Sequence, residues 1–164
     1  MSRRRIIQTV TLSKSFGAYG GAILGSARLR QEILDRSRMF VGSTPLPLPL
    51  ANAALAGVRI LNGDKTLRPR LLRNAARVKT ALREAGLPLP ETPGPIVPLI
   101  PRNPGEADRL KRALLTAGVF RPFIKYPGGP PNGYFRFVIS SEHTRQQLDT
   151  LVKVLCRYVQ GRAA

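Results

Sequence analysis

Apolar positions along the chain change period several times, and each change marks an element. Ile6, Ile7 and Val10 lead into a polar, glycine-punctuated run, and Ala22, Ile23 and Leu24 leave it. Short apolar flanks around such a run predict a strand–loop–strand that presents a reactive side chain. Ser26 then caps a predicted helix over 27–38, with Leu29, Ile33 and Leu34 on one face. Pro45, Pro47 and Pro49 alternate with leucines, a spacing that excludes helix and predicts an extended segment. An alanine-rich helix is expected from about Leu50 towards Leu61, ending near Asn62-Gly63. Beyond it Leu67, Leu71, Ala75, Val78 and Leu82 recur at spacings of four and three, a helix stripe. Thr66 is its expected N-cap, which places Pro69 in the first turn. Gly86 ends that helix, and Pro88, Pro90, Pro93 and Pro95 make a stiff connector.

The last third alternates strand and helix. Residues 96–100 read as a short buried strand. Asn103-Pro104-Gly105-Glu106 supplies a cap, a proline at the first helical position and a carboxylate at the third. The helix it starts carries Leu110, Leu114 and Leu115 and stops at Gly118. Residues 119–124 and 134–139 are predicted as a strand pair around a Gly/Pro-rich loop. Thr144-Arg145-Gln146-Gln147 forms a capping box for a final helix with Leu148, Leu151, Val152, Leu155 and Val159 on one face. The order predicts an α+β unit, a small sheet covered by helices on one face. The expected division is 1–62 and 63–164.

Composition changes this picture little. The 164 residues are 43% hydrophobic, enough for a packed core. No apolar run approaches the roughly 18–20 residues needed to span a bilayer. Arg3-Arg4-Arg5 before Ile6-Ile7 resembles a secretory n-region, but Gln8, Thr9, Thr11, Ser13 and Lys14 interrupt the apolar stretch that should follow. A lone cysteine, Cys156, fits a reducing cytoplasm. Charge changes it more. The net charge is +18, mostly arginine, and the pI is about 11.6. Three readings follow: arginines scattered over solvated helix faces, a polyanion-binding surface, or attraction of a phosphate-bearing cofactor or substrate. Aromatic side chains for base stacking are few, and only Tyr134-Phe135 adjoins an arginine in a strand-like run. Nucleic-acid binding therefore has charge in its favour and no motif.

The candidate chemistry converges on one loop. With one histidine, one cysteine and no clustered carboxylates, zinc sites and Ser-His-Asp arrangements lack parts. Glycines follow Lys14 rather than precede it, which is not the P-loop order. Cys156 borders an apolar helix face and reads as core. Lys14 is an amine that can form a Schiff base with a carbonyl when its neutral form is favoured. Thr11 and Ser13 offer hydroxyls to a phosphate, and Gly17, Gly20 and Gly21 let backbone approach a planar ligand. The ordinary alternative is a solvated loop lysine.

Thr11-Leu12-Ser13-Lys14-Ser15-Phe16-Gly17, with Gly20-Gly21 and Gly25-Ser26 after it, resembles the lysine segment of fold-type I pyridoxal-phosphate enzymes. The branch it is most similar to is the α-oxoamine synthases, such as 8-amino-7-oxononanoate synthase and glycine C-acetyltransferase, wider relatives of the class I/II aminotransferases. The similarity continues at Gly42-Ser43-Thr44-Pro45-Leu46-Pro47, resumes at Pro95-Ile96-Val97-Pro98 and Gly118-Val119, and ends over Tyr134-Phe135-Arg136-Phe137-Val138-Ile139-Ser140-Ser141-Glu142-His143-Thr144. By this resemblance Lys14 forms the Schiff base with pyridoxal phosphate and then moves protons at the substrate α-carbon. Thr11 hydrogen-bonds the cofactor phosphate, and Ser43 or Thr44 approaches that phosphate from a partner subunit of a dimer. Arg136 pairs with the carboxylate of an amino-acid substrate, a role suited to a planar guanidinium. Residues 126–129 line the substrate entrance or form only a tight loop, and His143 reads as turn structure.

The resemblance also implies a departure. Family members are more than twice this length, and the part lying before Lys14 supplies a glycine-rich phosphate loop, a ring-stacking residue and the aspartate that keeps the pyridine nitrogen protonated. No acidic residue precedes Lys14 here. The expectation is a pyridoxal-phosphate-dependent acyltransferase or aminotransferase in truncated or split form. In that form a remnant of the large cofactor-binding domain (1–62) is joined to a small C-terminal domain (63–164). The implied partners are an amino acid, an acyl-CoA, and either a second copy or a complementing chain carrying the first half. A non-catalytic remnant and a polyanion-binding protein are the alternatives.

Overall fold

The computed structural model describes residues 6–161. Two compact units divide between Lys65 and Thr66. Architecture is mixed α/β, with five helices and two short antiparallel sheets among the described residues.

In the first unit, β1 (Gln8–Thr11) and β2 (Gly21–Leu24) pair antiparallel, with Thr11 opposite Gly21. Gly21 fits closely there: a Cβ would stand 3.2 Å from the Val10 carbonyl oxygen, and the neighbour would have to give by a few tenths of an ångström. The intervening loop closes on itself. The Leu12 N–H donates to the Gly20 carbonyl at 2.9 Å, and the Ala18 N–H donates to the Leu12 carbonyl at 3.1 Å. Leu12 and Ala18 are the buried hydrophobic residues of this unit among those described. Helix α1 (Ala27–Arg36) starts at Ser26, whose Oγ accepts from the Leu29 N–H. It ends two residues before the expected limit, at Ser37, which turns to extended backbone.

Helix α2 (Leu48–Gly63) begins earlier than the proline spacing suggested. Pro47 occupies the cap and Pro49 falls in the first turn, where a helix has no use for the missing N–H. Proline alternation therefore excludes helix only up to residue 47. Neither α1 nor α2 buries a residue.

The second unit holds the core. Helix α3 (Leu67–Glu84) buries Ala75, Val78 and Leu82, the stripe expected of it, and Pro69 lies in its first turn. Thr66 takes the N-cap position, but in helical conformation and without a side-chain cap bond. Strands β3 (Ile96–Leu99), β4 (Phe123–Ile124) and β5 (Tyr134–Val138) form an antiparallel sheet in the order β3-β5-β4. Pro98 is tolerated because β3 is an edge. Strand β4 is much shorter than the expected 119–124. Gly118, at φ +69°, ends the preceding helix α4 (Pro104–Thr116), and the Val119 N–H turns back to the Leu114 carbonyl at 2.8 Å. Val119 thus belongs to a helix cap rather than to the sheet.

Helix α4 starts as the sequence implies, with Asn103 Oδ1 accepting from the Glu106 N–H at 2.9 Å. Helix α5 (Arg145–Gln160) has both halves of its capping box, Thr144 to Gln147 and back. The helices and the sheet enclose seventeen buried apolar side chains, from Ala75 to Val159. Phe135 lies at the centre, edge-on to Phe123 and stacked with Phe137. Buried Lys79 donates through Nζ to the Thr92 carbonyl at 2.8 Å, tying the proline-rich connector to α3.

Candidate functional site around the lysine loop

The loop between β1 and β2 presents Lys14 at its exposed apex. The Lys14 carbonyl accepts from the Gly17 N–H at 3.2 Å, which makes a tight turn, and Gly17 completes it at φ +61°. Among the described residues the Lys14 amine makes no hydrogen bond or ion pair. Thr11, on the last position of β1, places its Oγ1 2.9 Å from Ser13 Oγ, and the Ser13 N–H points to the same Oγ1 at 3.4 Å. Two hydroxyls, one backbone donor and a free amine therefore lie within four consecutive residues.

The loop is supported from behind. Helix α2 approaches so closely at Gly57 that a Cβ there would stand 2.6 Å from the Phe16 carbonyl oxygen. Sequence reasoning missed Gly57; the available signal was a glycine in the interior of an alanine-rich helix. Gly20, at φ +108°, lies 4.0 Å from Leu46 by the same measure, so the segment after α1 borders the far end of the loop.

Ser43 and Thr44 belong to that segment. Ser43 Oγ donates to the Met39 carbonyl at 2.6 Å, and its N–H donates to the Phe40 carbonyl at 3.3 Å after the chain turns at Gly42. Thr44 is exposed. Both lie in the same unit as Lys14. The carboxylates of this unit are Glu32, Asp35 and Asp64. Glu32 pairs with Arg28 at 3.0 Å and Asp35 accepts from Gln31 Nε2 at 2.8 Å, so both are engaged along α1.

Arg136 lies in the other unit, on β5 opposite Pro98. Side chains alternate along this strand. Phe135 and Phe137 point into the core, whereas Arg136 takes the opposite face and is half-buried. Its guanidinium has no partner among the described residues, and its backbone N–H donates to the Pro122 carbonyl at 2.9 Å. Arg136 lines a groove of about 570 Å³ together with Phe120, Val138, His143 and Gln146.

His143 has a structural task beside that groove. Its Nδ1 accepts from the Ser140 N–H at 3.0 Å, and Asn74 Nδ2 donates to the Ser140 and His143 carbonyls at 2.9 and 3.3 Å. The Gly/Pro-rich loop after β4 turns through a Gly129 N–H bond to the Tyr126 carbonyl at 2.9 Å. Cys156 packs against the core, its Sγ 3.7 Å from the Ala81 carbonyl. Burial first, and then the charge of Glu84, pushes its thiol pKa up. Among the described residues no group of histidine, cysteine and carboxylate side chains could hold a metal, and no helix is long and apolar enough to cross a membrane.

Comparison with known proteins agrees with this arrangement. Residues 1–155 match the family model described as aminotransferase class I and II. An 8-amino-7-oxononanoate synthase from Xylella fastidiosa (strain M12) is 36% identical over 152 residues, which are 92% of this chain and 38% of that protein. The chain thus spans well under half the length of the curated relatives it matches. Among solved structures, 8-amino-7-oxononanoate synthase from Francisella tularensis superposes with a TM-score of 0.78 at 22% identity, covering 97% of this chain and 47% of that one. Serine palmitoyltransferase with a pyridoxal-phosphate internal aldimine superposes with a TM-score of 0.77 at 26% identity, covering 94% and 39%.

Proposed function

The chain belongs to the class I and II aminotransferase family, and from that premise we propose that it is the lysine-bearing part of a pyridoxal-phosphate-dependent transferase. Its substrates are an amino acid and an acyl thioester, in keeping with the synthase and the serine palmitoyltransferase it resembles; aminotransfer to a keto acid is the second reading. The observation that carries the proposal is the loop itself. A free, exposed primary amine stands at the apex of a turn braced by Gly57, directly after Ser13 and three residues after Thr11, whose hydroxyls lie 2.9 Å apart. That donor set suits an aldehyde bearing a phosphate, and the residues present fit the group.

Bound pyridoxal phosphate supplies an electron sink at the substrate α-carbon. The chain's own residues do the rest. The Lys14 amine, once neutral, attacks a carbonyl and afterwards takes and returns the proton at the α-carbon. Thr11 donates its hydroxyl hydrogen to a phosphate oxygen while Ser13 keeps it oriented. Ser43, on turning its hydroxyl hydrogen away from the Met39 carbonyl, or Thr44, with its own hydroxyl, donates to the phosphate held by a second subunit. Arg136 presents two parallel N–H donors to the substrate carboxylate. The chain works in a reducing compartment, the cytoplasm, where its single thiol stays free.

Spectroscopy tests the reading. Titrating the chain with pyridoxal phosphate is expected to give the visible absorption of a lysine imine, lost in Lys14→Arg and kept in Lys65→Arg. Equal absorption from both variants would overturn the assignment.

A further inference from the structure

The helical side of the second unit carries cations that the lysine loop does not use. Helices α4 and α5 leave between them a groove of about 530 Å³, within the roughly 300–1,000 Å³ of small-ligand sites. Arg109 stands on the α4 wall and Arg157 on the α5 wall. Both are exposed, and neither guanidinium makes a hydrogen bond or ion pair among the described residues. The Arg109 side chain lies back along α4, its Nη1 3.8 Å from where a Cβ on Gly105 would stand. The carboxylates that could neutralise these two arginines are already engaged. Glu106, which also lines the groove, is buried and accepts from the backbone N–H of Arg102 and, at 3.3 Å, from its Nε. Asp108 pairs with Lys111 at 3.0 Å, and Asp149 pairs with Arg77. Across residues 66–161 sixteen lysines and arginines stand against six carboxylates, so the field over this surface attracts an anion.

Between the arginines the groove is apolar. Ala113 lines it from α4, and half-buried Val154 and Tyr158 line it from α5 while packing against the core. Cations beside an apolar surface with an aromatic ring suit a ligand that is an anion at one end and a flat ring at the other. Guanidinium groups favour phosphate for the anion, because a phosphate takes their parallel N–H donors two at a time. An inorganic anion would satisfy the arginines and leave the apolar wall unused. We infer that the α4–α5 groove binds a nucleoside monophosphate, with the phosphate between Arg109 and Arg157 and the base against Val154 and Tyr158. The groove lies wholly within the second unit and uses neither Lys14 nor a bound cofactor, so nucleotide binding is independent of the transferase reading.

Isothermal titration of the full chain with adenosine 5′-monophosphate tests the site, and a single binding event per chain is expected. Arg109→Gln and Arg157→Gln should each weaken it about tenfold or more, as for losing a charge-assisted hydrogen bond. Arg109→Lys, which keeps the charge, should recover part of the loss. Two variants serve as controls and should bind as the parent chain does: Arg73→Gln, which removes an exposed arginine from α3, and Lys14→Arg. Adenosine and inorganic phosphate, offered separately, should each bind more weakly than the nucleotide. Circular dichroism melts matching the parent chain establish that every variant is folded. Absence of binding would overturn the inference, as would full affinity in both groove variants. Equal weakening by Arg73→Gln would do so too, by showing a diffuse attraction to the cationic surface. Phosphate binding as tightly as the nucleotide would remove the base from the site, and loss of binding in Lys14→Arg would move the nucleotide to the lysine loop; either result refutes the assignment.

Discussion

Phe135→Ala is the substitution that weighs most heavily on where this chain keeps its stability. The ring is fully buried, lies 5.0 Å from Phe123 at 64° and 6.1 Å from Phe137 at 4°, and belongs to the central strand of its sheet. Truncating such a side chain costs about 3–5 kcal/mol, transfer and cavity terms together. In a unit of roughly 100 residues each kcal/mol moves the melting temperature about 4–8 °C, so a fall of about 12–40 °C is expected. Ile60→Ala is the matched control: it also removes a large apolar group, but from a side chain 61% exposed on α2. Its expected effect on the isolated chain is within about 0.5 kcal/mol. Far-UV circular dichroism melts and urea titrations of the two variants, run beside the parent chain, read the difference. Equal destabilisation by the two substitutions would refute the reasoning, because it would mean that α2 is packed in the chain alone.

Gly57→Ala places a Cβ against the Phe16 carbonyl, so the lysine loop must shift; cofactor binding measured by the imine absorption should weaken while the melt of the second unit stays unchanged. Thr144→Ala removes one half of the capping box of α5 and should cost about 1 kcal/mol in urea titration. Cys156, its thiol pKa raised by burial and by Glu84, should react with a disulfide reagent at pH 8 more slowly in the folded chain than in urea. Folding holds the thiol proton more tightly. The associated stability is therefore present below the ordinary thiol value of about 8.5 and is lost as pH rises through the folded value, a trend that Cys156→Ala abolishes.

Local signals survived into the structure where no distant residue competed with them. The caps at Ser26, Asn103 and Thr144 each make the predicted side-chain bond, since a cap is decided within four residues. The α3 stripe is buried at Ala75, Val78 and Leu82 and half-buried at Leu67 and Leu71. Where two local rules met, the weaker one had been followed. Pro49 was read as a helix breaker although a first-turn proline is tolerated, and Val119 was read as strand although Gly118 draws it into a helix cap.

The site was legible unevenly. Lys14 and Thr11 sit together because they are three residues apart, and motif and geometry are then the same information. Arg136 lies on the predicted strand, and the period of two puts its neighbours Phe135 and Phe137 on the opposite, buried face. Gly57 escaped notice because its role depends on a contact forty-one residues away in sequence, between helix backbone and the Phe16 carbonyl. The apolar surface of the first unit was hidden for the same reason. Alternating leucines and an alanine-rich helix read as core whether or not the chain itself supplies the cover.

The most direct measurement is a peptide map of the chain after pyridoxal phosphate and borohydride. Reduction fixes the cofactor on whichever lysine carries it. The account predicts one dominant pyridoxyl group, on the peptide containing Lys14. A label shared evenly with exposed lysines such as Lys65 and Lys125 would contradict it.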